Sequence, residues 1–294
     1  MPRRPWHRTA VRTAVAALAA AGLLTAAGLG STARATGEWR QTGSGLQSSL
    51  GAGEGVTTVQ RPGGGERVLY RGVASIPPAL RLRGWSHIGD PDSARGYVVD
   101  AYQSRGAAPT RKMFRVTTPS GRSYEYTHTL APGEMYNNSF AAVSPDTRWM
   151  VAGEWGVMDH LQVYPTPLLN PATARTGGGL ALSGLVRLDK PVGNVQGCDF
   201  VTATELVCAS DDSSLAYFPE DKPLLRIDLE HPLSGGDVAG HVTDLGPIPQ
   251  DSECAGASEA EGVDYDATTG VLRVEMIQPS VCAAVTTVYR FRRG

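Results

Sequence analysis

The chain has 294 residues with 27 basic and 29 acidic side chains, a formal net charge of −2. Residues 1–35 hold five of the basic residues and none of the acidic ones, so the remainder carries 22 against 29, a net of −7. With only three lysines overall, that balance excludes nucleic acid as a partner, because phosphate binding needs a basic face.

Arg3, Arg4, Arg8 and Arg12 precede an apolar run from Ala14 to Gly30 that only Thr25 interrupts. Such a run is marginal for a bilayer core of ~30 Å, and Ala33-Arg34-Ala35 supplies the small residues that signal peptidase accepts. A signal peptide over 1–35 is therefore expected, with general secretion to the extracellular space and no stable membrane insertion after cleavage. An uncleaved anchor and a twin-arginine route are the alternatives. Residues 36–52, rich in Gly and Ser, are expected to form a flexible segment ahead of one domain over 53–294.

That domain contains many four- to eight-residue runs of Val, Leu, Tyr, Phe and Thr bounded by Gly, Pro, Asp or Asn. Gly96 to Tyr102, Lys112 to Thr117, Ser139 to Val143, Arg148 to Ala152, His160 to Tyr164, Leu224 to Leu229, Val271 to Ile277 and Thr286 to Arg292 are examples. The pattern predicts an all-β fold: a sandwich, barrel or propeller. Four stretches share one grammar of polar residues, a small residue, an apolar strand and an acid. They start at His87, Asn137, Gln196 and Glu259, separated by roughly 50–65 residues, the length of a four-stranded blade. Glu54-Gly55-Val56 is a fainter fifth copy. A β-propeller of five blades is expected, with six as the alternative and the ring closed by pairing the two ends of the chain. Gly177 to Gly179 reads as a surface loop, since a phosphate cradle needs a following helix and lysine.

At these same stretches, His87-Ile88-Gly89-Asp90, Gln196-Gly197-Cys198 and Glu259-Ala260-Glu261-Gly262, the chain resembles a group of bacterial and eukaryotic propeller proteins. The last element also looks like that of phytase-like and strictosidine-synthase-like propellers. The resemblance covers about Trp85 to Arg293 and implies the fold. It leaves the activity open, because such folds host hydrolases, lactonases, lyases and binding proteins.

On the propeller reading, one mouth of the channel gathers His87, Asp90, Asp92, Asn137, Asn138, Gln196, Glu259 and Glu261. Converging carboxylate and amide oxygens suit Ca²⁺, so Asp90, Asn138, Gln196 and Glu261 are the candidate metal ligands. The plain alternative is that these groups cap backbone amides and hold blades together. His87 and Glu261 are the candidate catalytic groups, His87 needing a carboxylate such as Asp90 or Glu261 to orient it. Asp92, Glu154, Asp211 and Glu261 supply a further pair of acids for glycoside hydrolysis. Trp149, Trp155, Tyr164, Met150 and Met158 are expected in the inter-blade core.

Cys198, Cys208, Cys254 and Cys282 allow three disulfide pairings and suit an oxidising compartment. A tight turn at Thr202 to Thr204 would set Cys198 opposite Cys208 across a hairpin, leaving Cys254 with Cys282. The expectation is a monomeric secreted module binding an unknown small molecule or extracellular protein. The alternatives are a metal-assisted hydrolase of lactonase or phosphoesterase type and a structural envelope protein.

Overall fold

A computed structural model describes residues 35–36, 38–104 and 110–294, so the expected signal peptide, apart from Ala35, lies outside the described residues. No helix among them is long and apolar enough to cross a membrane. The fold is all-β.

Two strands near the start, β1 (Ala35–Thr36) and β2 (Trp39–Ser48), precede a short hairpin of β3 (Gly55–Gln60) and β4 (Glu66–Arg71). A second group follows with β5 (Trp85–Ile88), β6 (Asp92–Ala94), β7 (Tyr97–Ser104), β8 (Arg111–Thr117) and β9 (Ser123–Thr129). The third has β10 (Phe140–Val143), β11 (Trp149–Gly153), β12 (Val157–Pro165) and β14 (Gly184–Gly193), with β13 (Gly178–Gly179) lying apart along β9. The fourth has β15 (Val195–Thr202), β16 (Glu205–Ser210), β17 (Pro223–Leu229) and β18 (Val238–Pro247). The last has β19 (Glu259–Asp266), β20 (Val271–Ile277) and β21 (Val285–Arg293), completed on its outer side by β2. Pairing within each group is antiparallel, as short connections require, and β14 and β18 join the third and fourth groups through a parallel contact.

The innermost strand is the first of each group, except in the second, where it is β6. There β3 packs against β6 and β19, β10 against β6 and β15, and β15 against β19, a nearly closed cycle. Strands crowded on both faces need small or wholly apolar side chains. Phe140, Ala141, Ala142 and Val143 of β10 are accordingly all buried.

The core lies between the faces of successive sheets. Phe114 and Tyr126 meet Ala141, Met150 and Tyr164 between the second and third groups. Val151, Leu161 and Val186 meet Phe200, Leu206 and Leu225 between the third and fourth. Val207 and Leu224 meet Val274, Tyr289 and Phe291 between the fourth and last. Each such buried aliphatic or aromatic side chain stabilises the fold by roughly 1.5–3 kcal/mol relative to exposure.

Two expectations change. Residues 36–52 are not a free tail, because β2 pairs with β21 along its length and Trp39 is wholly buried. The Trp39 ring meets Tyr265 edge-on at 5.9 Å and lies under the Arg293 guanidinium at 5.2 Å. The glycine-rich composition of 43–53 hid this strand, whose register with β21 is set by a partner hundreds of residues away. The Gly177 to Gly179 loop contributes β13, two residues that run parallel to Tyr126 and Thr127.

Both disulfides form as the hairpin register implied. Cys198 bonds Cys208 directly across β15 and β16, and Cys254 bonds Cys282. The connecting turn is tighter than expected, since Thr202 pairs with Glu205. An irregularity between Phe200 and Thr202 restores the cysteine register.

Candidate functional site

The inner strands all start at one end of the cycle, and the acids that begin them gather there. Glu54 precedes β3, while Glu259 and Glu261 lie on β19, the latter buried. Glu275 of β20 reaches the same place from the second strand of the last group, wholly buried. Asp211, after β16, accepts the Ala260 amide at 2.9 Å and the Lys222 ammonium at 2.7 Å. Lys222 spends a further hydrogen bond on Ser213.

Burial drives the electrostatics. It holds the Glu261 carboxyl well above the usual range, and Glu54, Glu259, Glu275 and Asp211 push it further. Glu275 is likewise held well above by burial and then by Glu54, against the pull of the Gly262 amide. That amide lies near the carboxyl but outside hydrogen-bond geometry, so neither Glu275 oxygen completes a hydrogen bond among the described residues. Glu259 is raised by burial, Asp211 and Glu54, with Lys222 and His87 opposing. This mouth therefore has more acid than its two nearby bases can balance.

His87 stands at this end, its Nε2 3.0 Å from a Glu54 carboxylate oxygen. Its Nδ1 is buried and has no partner among the described residues. Sequence reasoning sought the orienting acid in Asp90 or Glu261; the neighbour is Glu54, whose fainter repeat concealed it.

Asp90 takes a different position. It is wholly buried on the inner face of the cycle, Oδ1 accepting the Val56 amide at 2.9 Å and Oδ2 the Val263 amide at 3.1 Å. A Cβ added at Gly197 or Gly262 would sit 2.4 Å from one of its oxygens, so these glycines make room for this carboxyl. Burial raises it well above its usual range despite the two amides. Asn138 is also wholly buried and turned toward the second group, its Nδ2 donating to the Met113 carbonyl at 3.2 Å while Oδ1 lacks a partner. Gln196 is half-buried at the start of β15. The mouth thus unites His87, Glu259 and Glu261 with Glu54, Glu275 and Asp211. Among the described residues, no three His, Cys, Asp or Glu side chains stand at metal-ligating spacing.

Trp155 is half exposed on the same rim and not in the core, unlike Met150, Met158 and Tyr164. Asn137 holds the Trp155 backbone on both sides, its Nδ2 donating to the carbonyl at 2.7 Å and its Oδ1 accepting the amide. The next residue, Gly156, accepts the Asn194 amide, and the Asn194 carbonyl accepts that of Asp211, which ties this rim to the acids.

The other acids expected near a sugar-cleaving pair are dispersed. Glu154 lies between the second and third groups, 2.5 Å from the wholly buried Lys112, which also meets Glu134 and Gln162 at 3.0 Å. Asp92 lies toward the opposite end of the cycle, where it lines a pocket of about 360 Å³ with Asp199 and Asp264. There the acids clamp neighbours: Asp92 accepts the Val143 amide at 2.6 Å and Asp199 the Tyr265 amide at 2.6 Å. Asp199 and Asp264 were missed as a set, although Asp90-Pro91-Asp92, Gly197-Cys198-Asp199 and Gly262-Val263-Asp264 repeat one spacing.

No family model matches this chain, and no curated protein matches it. Among solved structures, it is similar to a glycosyl hydrolase from Bacteroides ovatus, with 13% identity and a TM-score of 0.38 over 69% of this chain. The chain spans 64% of the length of that structure, and a likeness so loose assigns neither activity nor substrate.

Proposed function

We propose that the protein is an exported five-bladed β-propeller that works as a ligand-binding module, taking a cation at the acid-rich mouth. Five strand groups whose inner strands β3, β6, β10, β15 and β19 neighbour one another in a cycle support the blade count, the first blade being reduced to β3 and β4. The two disulfides support an oxidising destination.

One observation carries the binding reading. Glu275 is wholly buried with both oxygens unbonded, beside Glu54 and the buried Glu261. An isolated buried carboxylate is costly, so this group holds either a proton or a cation. Glu261 and Glu259 offer hard donors that suit Ca²⁺ beside it, whereas Asn138, turned toward the second group, stands apart from them. A bound ion would draw the carboxylates closer than they stand here and displace their protons. Asp90, with both oxygens committed to amides, is left out of the ligand set.

Calorimetric titration of chelator-treated protein with CaCl2 at pH 7.5 tests this. Heat of binding and a rise in Tm are expected, both lost in Glu261→Gln; absence of both in the unsubstituted protein refutes it.

A metal-assisted hydrolase is the second reading, favoured by the His87–Glu54 contact. The buried Nδ1 of His87 weighs against it, since a general base must reach its substrate or a metal-bound water. Turnover of an ester, lactone or phosphate that chelator abolishes would reverse the order of the two readings.

A further inference from the structure

Between the second and third strand groups, a set of polar side chains that the mouth does not use is shut in together. Lys112 stands on β8, Gln162 and Tyr164 on β12, Glu154 just after β11 and Glu134 in the loop after β9. Lys112 and Tyr164 are wholly buried, Gln162 is 2% exposed and Glu154 5%, so bulk water is kept from them.

The orientation of the Gln162 amide follows from its neighbours. Its Oε1 accepts from the Lys112 ammonium and from the Tyr164 hydroxyl, each at 3.0 Å. An ammonium has no acceptor, so the oxygen must be the atom on that side. The amide Nε2 then faces the carboxylates, donating to Glu134 Oε1 at 2.8 Å and to Glu154 Oε1 at 3.5 Å.

The same two oxygens hold the lysine, Glu154 Oε1 lying 2.5 Å and Glu134 Oε1 3.0 Å from Nζ. Each acid therefore touches both nitrogens, amine and amide, with a single oxygen. The other Glu134 oxygen is fixed by the Ala131 amide at 2.9 Å and by His128 Nε2 at 3.1 Å, which keeps Oε1 turned to the nitrogens. Phe114 and His128 pack against the Tyr164 ring, both with centroids at 5.2 Å, and close the cluster off. An ion pair would be satisfied by one glutamate. It has no use for an amide whose carbonyl takes two donors and whose nitrogen shares its acceptors with an amine.

We infer that Lys112 and Gln162 are the two halves of a self-formed isopeptide cross-link between the second and third groups. Lys112 passes one proton to Glu154, and the freed Nζ lone pair forms a bond to Gln162 Cδ. The charge that builds on Oε1 is stabilised by the Tyr164 hydroxyl, in the manner of an oxyanion donor. Glu134 carries a second proton from Nζ to Nε2, the Cδ–Nε2 bond breaks, and ammonia leaves, taking up the proton held by Glu154. One alkylammonium and one primary amide thus become a secondary amide and an ammonium ion, with no oxidant or reductant required. Holding the reacting groups together in a site closed to water favours this transfer over hydrolysis. Both disulfides lie at or after Cys198 in the chain, so the bond staples a part of the molecule that they leave unbridged.

The test is the mass of the full chain as purified, unfolded and with its disulfides reduced. A mass one ammonia below that required by the amino-acid sequence from its measured N-terminus is expected, and the deficit should vanish in Lys112→Arg and in Gln162→Met. Trypsin should release a branched peptide joining 112–115 to 149–175, since Arg111, Arg115, Arg148 and Arg175 bound the two arms and an acylated Lys112 resists cleavage. Glu154→Gln should leave most of the chain unlinked. Where a variant fails to fold, the mass and the branched peptide of the unsubstituted chain decide. A full mass after prolonged storage of the folded protein, an ammonia loss that peptide mapping puts elsewhere, or conversion of Gln162 to glutamate each overturns the inference.

Discussion

Asp264 holds Thr58 twice, its Oδ1 accepting the amide at 2.7 Å and its Oδ2 the hydroxyl at 2.8 Å, across 206 residues of sequence. The bond joins the inner strand of the last group to that of the first. Arg273 steadies the same carboxylate from 2.5 Å. Removing one partner from such a buried charged set typically costs ~3–5 kcal/mol. Asp264→Ala should therefore lower the urea midpoint sharply, by an amount that Arg273→Met in the same chain partly restores.

The small residues around Asp90 lead to a second expectation. Gly197→Ala would place a methyl 2.4 Å from a carboxylate oxygen and 2.7 Å from the Val263 amide nitrogen. Overpacking costs about 1–3 kcal/mol and more where backbone must shift. A lower Tm is expected, whereas Gly51→Ala, which meets nothing within 4 Å, should leave Tm near that of the parent.

Stability should peak in mild acid. Burial, helped by Asp264, pushes Asp92 from the usual 3.8 to about 7, and Asp90, Asp199, Glu261 and Glu275 are raised too. These groups keep protons that the unfolded chain releases, so the folded state loses ground as pH rises from about 4 towards 7. Glu134 acts oppositely: burial raises it, but the Ala131 amide, Lys112, Gln162 and His128 overcome that and bring it to about 2. Its contribution is present above 4.5 and lost as pH falls towards 2. Thermal melts from pH 2 to 8 should show a maximum at about pH 4–5, and Ca²⁺ should raise Tm more at pH 7.5 than at pH 5. A Tm that climbs steadily to pH 8 in chelator would contradict both.

Lys112 offers a check on the buried polar network. With Glu154 at 2.5 Å and Glu134 at 3.0 Å, Lys112→Met strands two acids, at a cost of ~3–5 kcal/mol. Adding Glu154→Gln should recover part of that loss in a double-mutant cycle, because the stranded charge is then gone.

The strand runs and both disulfides were legible because they depend on local alternation and turn chemistry. Cys198 and Cys208 could be set opposite each other from hairpin register alone. The role of Asp90 was not legible, since its amide partners Val56 and Val263 lie on strands far off in sequence and a carboxylate bound to amides looks in sequence like one awaiting a metal. Trp155 misled for a similar reason: aromatic content next to β11 resembles core, and only the Asn137 clamp turns this residue outward. Strand β2 was obscured by glycines that its pairing with β21 tolerates.

That pairing has a consequence for how the molecule comes into being. Glu38 and Arg293 form an ion pair across 255 positions, so β21 has its outer neighbour only from a strand far earlier in the chain. Until the segment at 285–293 is in place, the early strand has nowhere to dock, and the circle of sheets stays unlatched. Closing so long a loop costs chain entropy, so this latch is expected to form late in folding and to open first under denaturant.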